Sequence, residues 1–239
     1  MVKRASFETA ELRRELAAFL DTAHPKGVLK TIGSYRWGVY IFYDYDGEPI
    51  YVGQTKERIG TRIRRHLTNQ RTDAVAMSVL DPFEVFEIEV FPLPEFEEVT
   101  GKHKDFAVAK KHLDALERLV HDTAIGNSKF RAILNEKDPP LFDGKIDLPI
   151  SLRGRVVSAE VEKLRGHPDV RTARRAQVIS RLAQVISERE VQNGLRRTLM
   201  TQAKRILWLA ENRFDELGGN ASVPKAPEEE EDEGKSNAE

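Results

Sequence analysis

The strongest constraint in this chain is the run WGVYIFYDYDGEPIYVGQT, residues 37–55, in which two aromatic and β-branched stretches flank Asp46-Gly47. Aromatic and β-branched side chains suit a pleated surface, and an Asp-Gly pair tolerates the positive φ of a two-residue turn, so the run predicts an antiparallel hairpin. The hairpin then sets the period of what surrounds it. FEVFEIEV alternates Phe86, Ile88 and Val90 with Val85, Glu87 and Glu89, the pattern of a half-buried strand able to pair with it. Three helical patterns accompany these strands. Residues 7–22 space Leu12, Leu16, Phe19 and Leu20 along one face, ERIGTRIRRHLTNQ does the same with Ile59, Ile63 and Leu67, and DFAVAKKHLDALERLVH with Phe106, Ala109, Leu113, Leu116 and Val120. The order predicts an α+β module over residues 1–150: a small three-stranded antiparallel sheet with flanking helices.

Beyond Pro139-Pro140 and Asp147-Leu148-Pro149 the pattern turns helical, with segments at 161–165, at 168 to about 191 and at 195–217. A separate helical unit over 151–217, for DNA binding or dimerisation, is the expectation. Residues 218–239 are Gly/Pro-rich and then acidic, which predicts a disordered tail. No cysteine is present, which excludes disulfide scaffolds, iron–sulfur clusters, thiol catalysis and cysteine-based zinc modules. The N-terminal residues lack an apolar signal core, and no stretch reaches the roughly 18 apolar residues of a membrane span, so a soluble cytoplasmic protein without membrane contact is expected.

Charge is distributed unevenly. The formal total is −1, but residues 225–239 carry seven acids and two lysines, leaving the body net +4. Six Lys/Arg lie between Gly53 and Asp73 (Lys56, Arg58, Arg62, Arg64, Arg65 and Arg71), and fourteen lie in residues 151–220 against eight acids. Such stripes point to a polyanion, although charge alone fits solvated, self-paired helix faces equally well. Arg58, Arg64 and Arg65 on the first basic helix, and Arg171, Arg174 and Arg175 on the later one, are the candidate contacts to such a polyanion.

One constellation carries chemistry. Gly38-Val39-Tyr40 precedes Tyr51-Val52-Gly53 across the turn, Arg62 and His66 are i, i+4 neighbours on the next helix, and Glu117 lies on a later one. Tyr40 and Tyr51 share a sheet face if the register permits. At about 100° per residue Glu117 falls about 70° from the centre of its helix's apolar stripe, a boundary position, and Asp114 falls about 130° away, toward solvent. Each residue alone is ordinary: glycines relieve crowding, a strand tyrosine packs, and a lone histidine on a helix is usually a surface group.

Taken in this order, the residues resemble the GIY-YIG nuclease family, specifically its restriction-endonuclease-like branch. Gly38-Val39-Tyr40 is similar to the first motif, Tyr51-Val52-Gly53 to the second, and KERIGTRIRRHL to the helix bearing the family's arginine, over roughly residues 35–140. The resemblance implies a phosphodiester-cleaving DNA endonuclease that uses Mg²⁺ or Mn²⁺. It also implies that Tyr40 helps activate the attacking water, Tyr51 supports the site, Arg62 stabilises the pentavalent phosphate, His66 assists proton transfer and Glu117 is the metal ligand. The family's asparagine corresponds to Asn127 or Asn135, with Asn135 preferred for its Leu-Asn context before prolines. A stand-alone restriction or defence enzyme, possible as a homodimer, is the leading expectation. A structure-specific repair nuclease and a non-catalytic nucleic-acid-binding protein on the same fold are the alternatives.

Overall fold

The computed structural model describes residues 6–24, 31–68 and 79–219. The expected acidic tail from residue 220 onward, and Arg71, lie outside them. At the centre stands β1 (Gly38–Tyr43), every residue of which is buried. It pairs antiparallel with β2 (Pro49–Thr55) on one side and β3 (Glu87–Pro92) on the other. The turn between β1 and β2 is closed by Asp44, whose Oδ1 accepts the backbone N–H of Asp46 and of Glu48 at 2.9 and 3.1 Å, while Gly47 takes φ +69°. That conformation is costly for a side chain with a Cβ and free for glycine, which is why Asp-Gly marks the turn.

The sheet has four strands, not three, in the order β2-β1-β3-β4. The added strand, β4 (Leu152–Arg155), pairs antiparallel with β3 and places Arg153 beside Glu87, with its Nε donating to Glu87 Oε2 at 2.9 Å. Its sequence, Leu-Arg-Gly-Arg, shows little apolar alternation because one of its two inward positions, beside Leu152, is Gly154. A Cβ there would stand 2.7 Å from the ring of Phe19, so the apolar contact is supplied by the neighbouring helix instead.

Both faces of the sheet are covered. Helix α1 (Phe7–Leu20) and helix α2 (Ile59–Thr68) pack Leu16, Leu20, Ile59, Ile63 and Leu67 on the face that carries Tyr40, Phe42, Ile88 and Val90. On the other face α3 (Phe106–Asn127) packs Ala109, Leu113, Leu116 and Val120 against Val39, Ile41 and Val52. Three helices follow β4: α4 (Ala159–Arg165), α5 (Pro168–Glu188) and α6 (Asn193–Glu216). The division expected between residues 150 and 151 is not a break in packing. β4 completes the sheet, and Leu182 of α5 and Leu195 of α6 belong to the same apolar core as Leu16 and Phe42.

A buried ion cluster makes the same connection. Asp44, at 1% exposure, accepts from Arg175 Nη2 at 3.0 Å and Arg205 Nη2 at 2.8 Å through Oδ2. Arg175 also donates to Glu84 at 3.0 Å, and Arg171 holds both oxygens of Asp46. Burial acts to raise the Asp46 carboxyl, but the Arg171 guanidinium outweighs it and holds the group below its ordinary value. Arg174 grips Asp81 with two bonds of 2.6 Å. The expectation that Arg171, Arg174 and Arg175 present themselves to phosphate is therefore corrected. Two are buried and all three are engaged by carboxylates of the sheet end, so they join α5 to the hairpin rather than to a ligand.

Removing one partner of a buried pair leaves the other charge uncompensated, at a cost of about 3–5 kcal/mol. Asp44→Asn keeps a carbonyl oxygen for the turn but leaves Arg175 and Arg205 short of a countercharge. Urea unfolding should show a loss in that range; a change under about 1 kcal/mol would mean that the cluster does not hold α5 and α6 to the sheet.

Candidate active site

The strand register brings the two tyrosines together. Tyr40 lies opposite Gly53 and Phe42 opposite Tyr51, so Tyr40 and Tyr51 are diagonal neighbours on one face, with ring centroids 6.4 Å apart. The direct opposition of Tyr40 and Gly53 explains the glycine: a Cβ at residue 53 would stand 2.5 Å from the Tyr40 hydroxyl. Gly38 has a similar reason, because a Cβ there would meet the carbonyl oxygen of Phe91 at 2.7 Å. Both motif glycines thus let a neighbour approach closely, one a phenol and one a backbone.

Helix α2 lies over this face. Its apolar stripe faces inward, and the i, i+4 pair Arg62 and His66 flanks it on the side of the tyrosines. The His66 ring lies 5.5 Å from the Tyr51 centroid and 6.1 Å from that of Tyr40. The Arg62 guanidinium sits beside the Tyr40 phenol, yet among the described residues neither the Tyr40 hydroxyl nor Arg62 Nε has a partner in hydrogen-bond geometry. Such orphaned polar atoms are uncommon in a folded interior and cost free energy unless a further group satisfies them. Burial, with a smaller contribution from Tyr51, raises the Tyr40 phenol far above its ordinary value, so Tyr40 is protonated at any working pH. For Arg62 burial opposes the charge, but the nearby Tyr40, Tyr51 and Glu57 oxygens more than offset it and keep the guanidinium charged.

The carboxylates approach from the opposite face. Strand alternation points Gln54 toward α3, where its Nε2 donates to Glu117 Oε2 at 2.6 Å and to Asp114 Oδ1 at 2.8 Å. Glu117 takes the boundary position expected of it. Asp114 is less open than its angle predicts, since Gln54 and Lys110 both bond it and hold it against the helix. Burial raises the Glu117 carboxyl above its ordinary value and the charge of Asp114 adds to this, while Gln54, Lys110 and Arg62 work against it. Arg62 and Tyr40 are both within electrostatic reach of Glu117. The constellation therefore wraps around the edge strand β2, with phenols, guanidinium and imidazole on one side and two bridged carboxylates on the other.

Of the two asparagines, Asn127 is exposed at the end of α3, whereas Asn135 is buried beneath β2. Asn135 Oδ1 accepts from the Val52 N–H at 3.0 Å and its Nδ2 donates to the Val52 carbonyl at 2.7 Å. Its amide thus satisfies the outer edge of β2 as another strand would, fixing the strand that carries Tyr51, Gly53 and Gln54. The three remaining arginines differ. Arg58 and Arg64 are exposed, while both oxygens of Glu57 hold Arg65 at 2.7 Å. Gln54 is the site residue that motif reading passes over; the signal for it is the two-residue period of β2, which sends Val52 and Gln54 to the face opposite Tyr51 and Gly53.

Among the described residues no helix is long and apolar enough to cross a membrane. Comparison with curated proteins and with solved structures finds no match. A family model does match, described as the GIY-YIG catalytic domain and covering residues 36–97, from just before β1 through β2, α2 and β3. The match stops short of Glu117 and Asn135, whose places follow from the packing of α3 and of the segment after it around β2. With its paired tyrosines in register and its arginine on the helix that covers them, the stretch 36–97 matches the model of the GIY-YIG catalytic domain, a nuclease-type fold.

Proposed function

We propose that the chain is a Mg²⁺-dependent DNA endonuclease that hydrolyses phosphodiester bonds, of the stand-alone restriction or defence type, with Mn²⁺ able to replace Mg²⁺. The observation that carries this reading is the convergence on β2 of an unpartnered phenol hydroxyl and guanidinium Nε from one face and two bridged, partly buried carboxylates from the other. The carboxylate pair suits a hard divalent cation. Burial and like charge already disfavour the ionised form of Glu117, and a cation held by this carboxylate would offset that penalty. Among the described residues no cluster of three or more His, Asp or Glu could hold a metal. Glu117, with Asp114 beside it, would supply one or two oxygens and leave the other positions to water and phosphate, as Mg²⁺ prefers. Bound there, the cation would supply positive charge at the phosphate and lower the pKa of a water.

The chain's own groups divide the remaining work. Arg62, fixed by α2 and partly withdrawn from water, offers its guanidinium to the phosphate oxygens as negative charge builds on them. Tyr40, held protonated by burial, positions a water or phosphate oxygen through its hydroxyl, and His66 is the nearby imidazole that assists proton transfer. Tyr51 walls the site between them. Arg58 and Arg64 attract the backbone, helped by an open groove of about 550 Å³ between α1 and α2 that Arg13, Thr61, Arg64 and Thr68 line.

Two substitutions test the assignment. A carboxyl whose folded pKa exceeds its unfolded one begins to destabilise the fold as pH rises above the unfolded value, and the penalty is complete above the folded one. Glu117→Gln, which can still accept from Gln54, should therefore raise the melting temperature at pH 7 without divalent cations, yet abolish plasmid nicking with Mg²⁺. Nicking at the wild-type rate would remove Glu117 from the site. Arg62→Ala should lower turnover about a hundredfold or more with modest loss of affinity, because a group acting on the developing charge works in the transition state. Arg64→Ala should weaken DNA binding and flatten its salt dependence instead. Equal effects at both positions on both quantities would reduce Arg62 to one more surface cation.

A further inference from the structure

Helix α6 carries its faces in an inverted sense. The side packed against α5 contributes Thr198, Gln202 and Arg205 between Leu195 and Leu209, all buried. The opposite side presents Met200, Ala203, Leu207, Ala210 and Phe214, and Leu217 continues the line at the C-cap, all exposed, with Met200 at 62%, Leu207 at 58% and Leu217 at 70%. These six positions follow a 3-4-3-4-3 spacing, the a/d seam of a coiled coil. Five turns of apolar seam facing water are more than the isolated exposed hydrophobic that any surface tolerates, and mark a face built to be covered.

We propose that this seam is covered by the same seam of a second copy of this chain, the two α6 helices running antiparallel about a two-fold axis between Trp208 and Leu209. The residue sizes point to that occupant and that direction. An axis at this point sets Ala203 opposite the partner's Phe214, Ala210 opposite the partner's Leu207, and Met200 opposite the partner's Leu217, so each small residue receives a large one. Parallel, in-register pairing would instead stack alanine on alanine and phenylalanine on phenylalanine, with voids at one layer and crowding at the next.

Charge agrees with size. Lys204 and Glu211 are exposed and flank the seam on the same side at successive e positions. Antiparallel pairing brings Lys204 across from the partner's Glu211, and two-fold symmetry repeats the contact, whereas parallel pairing would leave both charges facing the aliphatic flank at Leu199 and Ile206. An eighteen-residue seam is about 27 Å long and would bury area near the low end of specific interfaces, on the order of 1,200 Å², which fits a reversible dimer.

Sedimentation velocity of the full chain from about 1 to 200 µM provides the test. The mass should rise with concentration from 27.2 kDa toward twice that value. Leu207→Glu should remain monomeric throughout, with the wild-type circular dichroism spectrum because the side chain it replaces is exposed. Lys204→Glu should weaken the dimer about tenfold or more, and adding Glu211→Lys should restore it to within about threefold of wild type. A chain that stays at 27.2 kDa, or a dimer untouched by Leu207→Glu, would overturn the proposal and give the seam to another partner. Disruption by Leu207→Glu without rescue by the charge exchange would overturn the antiparallel arrangement.

Discussion

A single carboxylate, that of Asp44, holds the architecture together. One oxygen closes the β1–β2 turn by accepting two backbone N–H groups, and the other neutralises Arg175 and Arg205 from two different helices. Charges withdrawn this far from water persist only where geometry compensates the lost hydration, so the hairpin and the C-terminal helices have to be assembled together. Two features accompany that coupling: the shared core reaching from Leu16 to Leu195, and the orientation in which α6 turns its apolar seam outward.

The other end of the hairpin holds the candidate site. There the packing leaves groups in states that water would not choose: a phenol and an Nε without partners, and a carboxyl raised by burial beside a second carboxyl. Each is a cost in the isolated chain that, under the proposed function, a phosphate and a cation would offset. Asn135 and Gly53 shape this end of the hairpin through the strand itself. One clamps the edge of β2 at Val52, and the other makes room for the Tyr40 ring.

Much of this is legible in the amino-acid sequence. Alternation and Asp-Gly locate the hairpin, and the 3-4 spacing of Leu113, Leu116 and Val120 locates α3 and its buried stripe. The fourth strand is not legible because one of its two inward residues is a glycine whose packing partner, Phe19, lies far away along the chain. The fate of Arg171, Arg174 and Arg175 is hidden for a related reason. A stripe of arginines reads the same whether it faces solvent or carboxylates, and here those carboxylates lie some ninety or more residues earlier. Helical angle alone places Asp114 in solvent, since it takes no account of a strand side chain such as Gln54 reaching across to it.

The central claim is that this hairpin and its covering helices form a hydrolytic site for DNA that works with a divalent cation. Incubation of the purified full chain with supercoiled plasmid, with Mg²⁺ or with EDTA, followed by gel separation of the products, addresses it most directly. The account predicts conversion to nicked or linear DNA with Mg²⁺ and none with EDTA. Intact supercoiled DNA in both lanes, from protein shown to bind the plasmid, would mean that the fold has been kept for binding without hydrolysis; cleavage undiminished by EDTA would mean that the carboxylates at β2 serve no cation.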